Sequence, residues 1–85
     1  MGSDFAGFEL KTILKNYLEK DERVSKVIDL GVNSLDDKTD YPNIGFALAT
    51  EIAKGNADRG LLVCGTGIGM AISANKVEGI RATTV

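Results

Sequence analysis

Three glycines at alternate positions, Gly65, Gly67 and Gly69, follow directly on an apolar run that ends in the chain's one cysteine. The stretch from Leu61 to Asn75 reads LLVCGTGIGMAISAN. Few arrangements satisfy that pattern. Leu61, Leu62 and Val63 ask for a buried strand, the glycines for a tight loop, and the run from Met70 to Ala74 for a helix. Such a unit exposes backbone N–H groups at the helix start, where unpaired amides and the helix dipole both favour an anion. Cys64, presented at the strand end in the same field, is expected to have its thiolate stabilised and to act as base or nucleophile at neutral pH. A base beside an oxyanion cradle is the minimum apparatus for removing a proton next to a carbonyl.

The rest of the chain sets this unit in an α/β frame. From Ala6 to Lys20, apolar Phe8, Leu10, Ile13, Leu14, Tyr17 and Leu18 fall mostly at helical spacings between Glu9, Lys11, Lys15 and Glu19, which predicts an amphipathic helix. Asp21 to Arg23 turn the chain and Val24 to Leu30 reads as a strand. Gly31 to Pro42 is a polar loop, long enough to suggest function. Asn43 is the expected cap of a second helix, with Ile44, Ala47, Leu48 and Ile52 as its apolar stripe to about Lys54. Gly60 to Cys64 is the second full strand, and Ile80 to Val85 is expected as a third. Helices alternating with strands predict a parallel sheet. Gly2-Ser3-Asp4 looks like a turn with no strand ahead of it, and the apolar run at Val85 ends without a closing helix. Three strands are a poor minimum for a parallel sheet covered on both faces. The expectation is one partial domain over residues 1–85, completed by further sequence or by another chain.

Composition narrows the function classes. A chain of 85 residues, 44% hydrophobic and 26% charged, is an ordinary globular composition. Folding at this size buries roughly 60–65% of the unfolded surface, enough for one thin core. A net charge of -2 with scattered Lys and Arg gives no footprint for nucleic acid and no basic face for a membrane. One cysteine makes no internal disulfide, and no leader or long apolar segment is evident, so a reducing cytoplasmic setting is expected. With no histidine, a metal site is not expected, and no cofactor is called for.

Each candidate has a plainer alternative. Cys64 is also the kind of small residue that strands bury. The glycine loop fails the dinucleotide fingerprint, because its spacing is G-x-G-x-G instead of G-x-G-x-x-G and a cysteine precedes it. Thr66 offers a hydroxyl to a substrate oxygen or caps the following helix. Asp4 lies at a strand-to-helix switch, where open α/β sheets bind ligands, or simply caps the first helix. Tyr41 reaches a ligand from the long loop or anchors that loop by packing. Asp36, Asp37 and Asp40 read as a solvated face, and Asn75 as a local hydrogen-bonding residue where the third helix ends.

GSDFAGFELK (Gly2 to Lys11), TDYP (Thr39 to Pro42), ADRGLLVCGTGIGM (Ala57 to Met70) and ANKVEGIRA (Ala74 to Ala82) together resemble the type B ribose-5-phosphate isomerases, a family that includes the galactose-6-phosphate isomerase subunits. The resemblance runs over essentially the whole chain, and CGTGIG followed by ANK is its most specific part. It implies a Rossmann-like three-layer α/β/α sandwich that interconverts aldose and ketose sugar phosphates through an enediolate, without a metal. It further implies Cys64 as the base moving the proton between C1 and C2. Gly65, Thr66, Gly67, Ile68 and Gly69 would hold the enediolate oxygens, with Thr66 assisting through its hydroxyl. By the same resemblance, Asp4 and Tyr41 match family positions that contact the sugar phosphate, and Phe5 stands at another such position.

Two departures from the family pattern qualify this. Phe5 stands where the family carries a histidine after the aspartate, exchanging a polar contact for an aromatic ring. The family's first strand and C-terminal half, with a ring-opening histidine, an asparagine and phosphate-binding arginines, are also missing. Family members are dimers with shared sites, so the expected partners are a second copy of this chain or a complete homologous subunit. Charge-assisted contacts contribute about 1.5–3 kcal/mol each, so a chain without those groups is expected to be a weak or inactive isomerase alone. Ribose 5-phosphate is the leading substrate, with a hexose 6-phosphate as a variant of the same chemistry. A non-catalytic subunit, or an anion-binding module using Gly65 to Gly69 without Cys64, are readings of other classes.

Overall fold

The computed structural model describes residues 1–34, 36–37 and 39–85. In chain order these form β1 (Gly2–Ser3), α1 (Phe8–Glu19), α2 (Tyr41–Ala53), β2 (Leu62–Val63) and α3 (Ile68–Asn75). The two strands pair in parallel, Gly2 opposite Leu62 and Ser3 opposite Val63. Side chains alternate across a strand, and the helices use both faces. A Cβ placed on Gly2 would meet the Ile44 side chain of α2, whereas Val63 lies against Gly7 at the start of α1. The first strand is therefore present, contrary to the sequence expectation. Gly-Ser has no strand signature of its own; its neighbours make it a strand.

The segment expected as a strand over residues 24–30 has no regular strand geometry, yet it runs along the free side of β1. The Met1 ammonium donates to the Ile28 carbonyl (2.6 Å). Leu30 N–H donates to Met1 O (2.9 Å), Ser3 N–H to Gly31 O (2.7 Å) and Val32 N–H to Ser3 O (2.9 Å). The spacing slips by one residue at Gly31, whose φ is 103°, and this breaks the ladder.

Helix α2 begins at Tyr41 instead of near Asn43. Asp40 is its cap, in extended conformation with Oδ1 accepting the Tyr41 N–H (3.0 Å), and Pro42 sits in the first turn, where its missing N–H costs nothing. Asp40 thus has a structural task beyond a solvated face. Residues 80–85, expected as a third strand, form none. Their main chain is held by a side chain instead: Asn75 accepts the Ala82 N–H (2.8 Å) and donates to the Ala82 carbonyl (2.9 Å), as a neighbouring strand would.

Val32, Ile44 and Met70 form the centre of the core, with Phe8, Leu62 and Cys64 packed against them. Helix α1 departs from its expected pattern. Leu10, Ile13 and Tyr17 are 51%, 64% and 68% exposed, while Lys11 is 1% exposed. Its ammonium reaches both Asp29 oxygens (2.8 and 3.0 Å), the Val32 carbonyl and the face of Phe8 (5.4 Å to the ring centre). A buried cation is tolerable only with such partners. No helix among the described residues is long and apolar enough to cross a membrane.

Candidate active site

The parallel register brings the two ends of the sheet together. Asp4 follows Ser3 and Cys64 follows Val63, so the aspartate and the thiol leave neighbouring strands side by side at their C-terminal ends, where open α/β sheets place ligands. Cys64 is half-buried and not in a disulfide. Its sulfur accepts the Gly67 N–H at 2.8 Å, a contact that strengthens with negative charge on the acceptor. Gly67 reaches this position with φ 81°, a left-handed conformation natural to glycine.

Gly67 is also the residue before α3, whose first helical bond runs from Ala71 N–H to Gly67 O (3.0 Å). The N–H groups of Gly65, Thr66 and Gly69 find no acceptor among the described residues. Gly65 and Thr66 are exposed. Unpaired amides at a helix start are donors that can meet an anion. The Thr66 hydroxyl accepts the Ile68 N–H at 3.3 Å, a weak capping contact that leaves its proton available. Ile68 itself is 60% exposed.

Gly69 is explained by Tyr41. A Cβ at Gly69 would lie 2.3 Å from the tyrosine ring, so the small residue lets the ring close over the start of α3. Tyr41 is thus the packed anchor foreseen as an alternative, seated on the start of α3. Asp4 is not the cap of α1, whose N-cap is Gly7 without a side-chain bond; its Oδ1 instead accepts the Gly7 N–H (3.0 Å) in the turn ahead of the helix. One carboxylate oxygen remains beyond that contact.

The expected residues do not all share one hollow. Cys64, Gly65, Thr66 and Gly67 line an open groove of about 680 Å³ between β2 and residues 80–85. Tyr41 and Gly69 line a second hollow of about 420 Å³ between α2 and α3, with Phe46 and Lys76. Asp4 and Phe5 line neither, and Phe5 is 51% exposed. Thr84 is a site neighbour that sequence reasoning missed: its hydroxyl donates to the Gly67 carbonyl (3.3 Å), tying residues 80–85 to the glycine loop. No local pattern signals a contact across 17 residues. Among the described residues no three His, Cys, Asp or Glu side chains converge to hold a metal ion.

The chain is similar to known proteins over nearly its whole length. A family model described as ribose/galactose isomerase matches residues 1–85. A D-erythrulose-4-phosphate isomerase 2 of Mycolicibacterium smegmatis is 56% identical over 84 residues, 99% of this chain and 55% of that protein. The ribose-5-phosphate isomerase B of Escherichia coli is 46% identical over 81 residues, 95% of this chain and 52% of that protein. Among solved structures, a type B ribose 5-phosphate isomerase of Trypanosoma brucei matches with a TM-score of 0.87 at 41% identity, over 96% of this chain and 54% of that one. The chain spans about half the length of the curated relatives it matches. With a full-length match to the family model and relatives well above 30% identity, this chain belongs to the ribose/galactose isomerase family.

Proposed function

We propose that the chain carries the proton-transfer half of a sugar-phosphate isomerase, within a Rossmann-like three-layer domain, with ribose 5-phosphate and ribulose 5-phosphate as the interconverted pair. The observation that carries this is the Cys64 sulfur receiving the Gly67 N–H at 2.8 Å beside the unpaired amides of Gly65, Thr66 and Gly69. The Cys64 thiolate takes the proton from C2 of the open-chain aldose. The electron pair flows toward the C1 carbonyl, leaving an enediolate whose negative oxygen meets the loop N–H groups. The proton carried on sulfur then passes to C1, while the O2 hydroxyl gives up its proton and O1 gains one, which completes the ketose with no net loss of atoms. Thr66 assists the oxygen protons through its hydroxyl. Asp4 and Tyr41 orient the sugar, and Phe5 packs beside it. The chemistry calls for no cofactor.

The name of the M. smegmatis relative favours a tetrulose 4-phosphate as a second substrate. Phe5, in place of the family's histidine, favours another reading, in which the chain is an inactive subunit paired with a second copy or a complete homologue in the cytoplasm. One experiment separates these: NMR of the purified chain in deuterated water with ribose 5-phosphate or erythrulose 4-phosphate, beside a Cys64→Ala control. Deuterium entering the carbon next to the carbonyl, and lost in the control, is the expected result. Exchange equal to the control with both sugars sinks the catalytic reading and leaves the subunit.

A further inference from the structure

The buried Lys11 ammonium has no part in the chemistry proposed above, yet its contacts close a ring through the candidate site. Lys11 Nζ donates to the Val32 carbonyl. Val32 N–H donates to Ser3 O (2.9 Å). Ser3 is bonded to Asp4, whose Oδ1 accepts the Gly7 N–H (3.0 Å). Gly7 O in turn accepts the backbone N–H of Lys11 (2.9 Å). Asp29 locks the far side: it takes the ammonium on both oxygens and, through Oδ1, the Gly31 N–H (2.9 Å). Gly31 O accepts from Ser3 N–H (2.7 Å). Both main-chain groups of Ser3 are therefore held by residues 31–32, whose place is fixed by Lys11 and Asp29.

We infer that Lys11 is a positioning residue: by clamping residues 31–32 against the end of β1, it sets where the Asp4 carboxylate stands beside Cys64. The inference rests on the reading that Asp4 faces the sugar phosphate. A lysine that merely filled space would leave Asp4 and its bond to the Gly7 N–H unchanged when its nitrogen was removed. A cation would also be a poor filler, since burying one without function is costly.

Hydrogen exchange followed by NMR on the purified chain tests this. Lys11→Met keeps the apolar stem and removes the ammonium. Exchange at the Gly7 amide is expected to speed up about tenfold, the effect of one lost hydrogen bond, relative to the Ala49 and Ala74 amides in α2 and α3. Ser3→Ala, which alters only a buried hydroxyl that finds no partner among the described residues, leaves Gly7 unchanged. In the deuterium-transfer assay, half-saturation by ribose 5-phosphate rises while the rate at saturation is kept. A Gly7 amide that exchanges no faster, or that speeds up only in step with Ala49 and Ala74, overturns the inference. If Lys11→Met does not fold, Asp29→Asn is judged by the same ratio. A wild-type chain that transfers no deuterium defeats the proposed function instead, and the Gly7 amide still decides the ring.

Discussion

Replacing Gly7 by alanine isolates one contact between α1 and the sheet. Gly7 has φ -94° and ψ 1°, the bridge conformation that non-glycine residues take at the third position of type I turns, so a positive φ does not enter. It precedes the helix, so helix propensity adds little. What remains is space. The new Cβ would lie 2.2 Å from the Val63 carbonyl oxygen and 2.5 Å from its carbon, both main-chain atoms of β2. These atoms cannot rotate aside as a side chain would, so α1 must lift from the sheet. We expect a loss of about 3 kcal/mol, the upper part of the range for overpacking. For a domain of this size that lowers Tm by about 12–24 °C. Gly65→Ala is the matched control, because nothing lies within 4 Å of its added Cβ. It should stay within about 0.5 kcal/mol of wild type. Thermal unfolding of both variants by circular dichroism reads the difference. Gly7→Ala melting within about 4 °C of wild type would refute the packing of α1 against the Val63 main chain.

Acid unfolding should report the Lys11–Asp29 pair. Burial works against the Asp29 charge, but the Lys11 hydrogen bond, the Gly31 N–H and the charges of Lys11 and Lys15 outweigh it and hold the carboxyl below its usual range. Its stabilisation is fully present above the unfolded carboxylate value of about 3.9 and is lost as pH falls through the lower folded value. Tm should therefore drop with pH in that acid window, and Asp29→Asn should be less stable above it and flatter through it; parallel Tm profiles for the two proteins would contradict this. Asn75→Ala removes both bonds to Ala82 and should cost about 1–2 kcal/mol, with faster exchange at the Ala82 amide; an unchanged amide would show that residues 80–85 are held otherwise.

Legibility varied with how local each cause was. The loop from Cys64 to Gly69 and the helix after it could be read directly, because alternate glycines after an apolar run leave few conformations. Helix α2 was legible but its start was not: Asp40 and Asn43 are both good caps, and Pro42 fits the first turn of the helix that Asp40 starts. β1 was missed because Gly2–Ser3 is a strand only through Leu62–Val63, some sixty residues on. The apolar rhythm of α1 hid the burial of Lys11, whose partner Asp29 lies 18 residues away. Residues 80–85 look β-like, yet the Asn75 amide takes the place of a strand partner. Around Cys64, the order of strand, glycine loop and helix was foreseen; the seating of Tyr41 on Gly69 and of Thr84 on Gly67 are tertiary facts without a local mark.

The seclusion of Lys11 also gives the molecule a built-in clock. Lys15, one turn along α1, is 34% exposed where Lys11 is 1% exposed. An amine-acylating reagent added to the folded chain therefore labels Lys15 and passes over Lys11. Label reaching Lys11 counts the moments when α1 leaves the sheet, so mass spectrometry of one peptide can time the opening of the fold without any engineered probe.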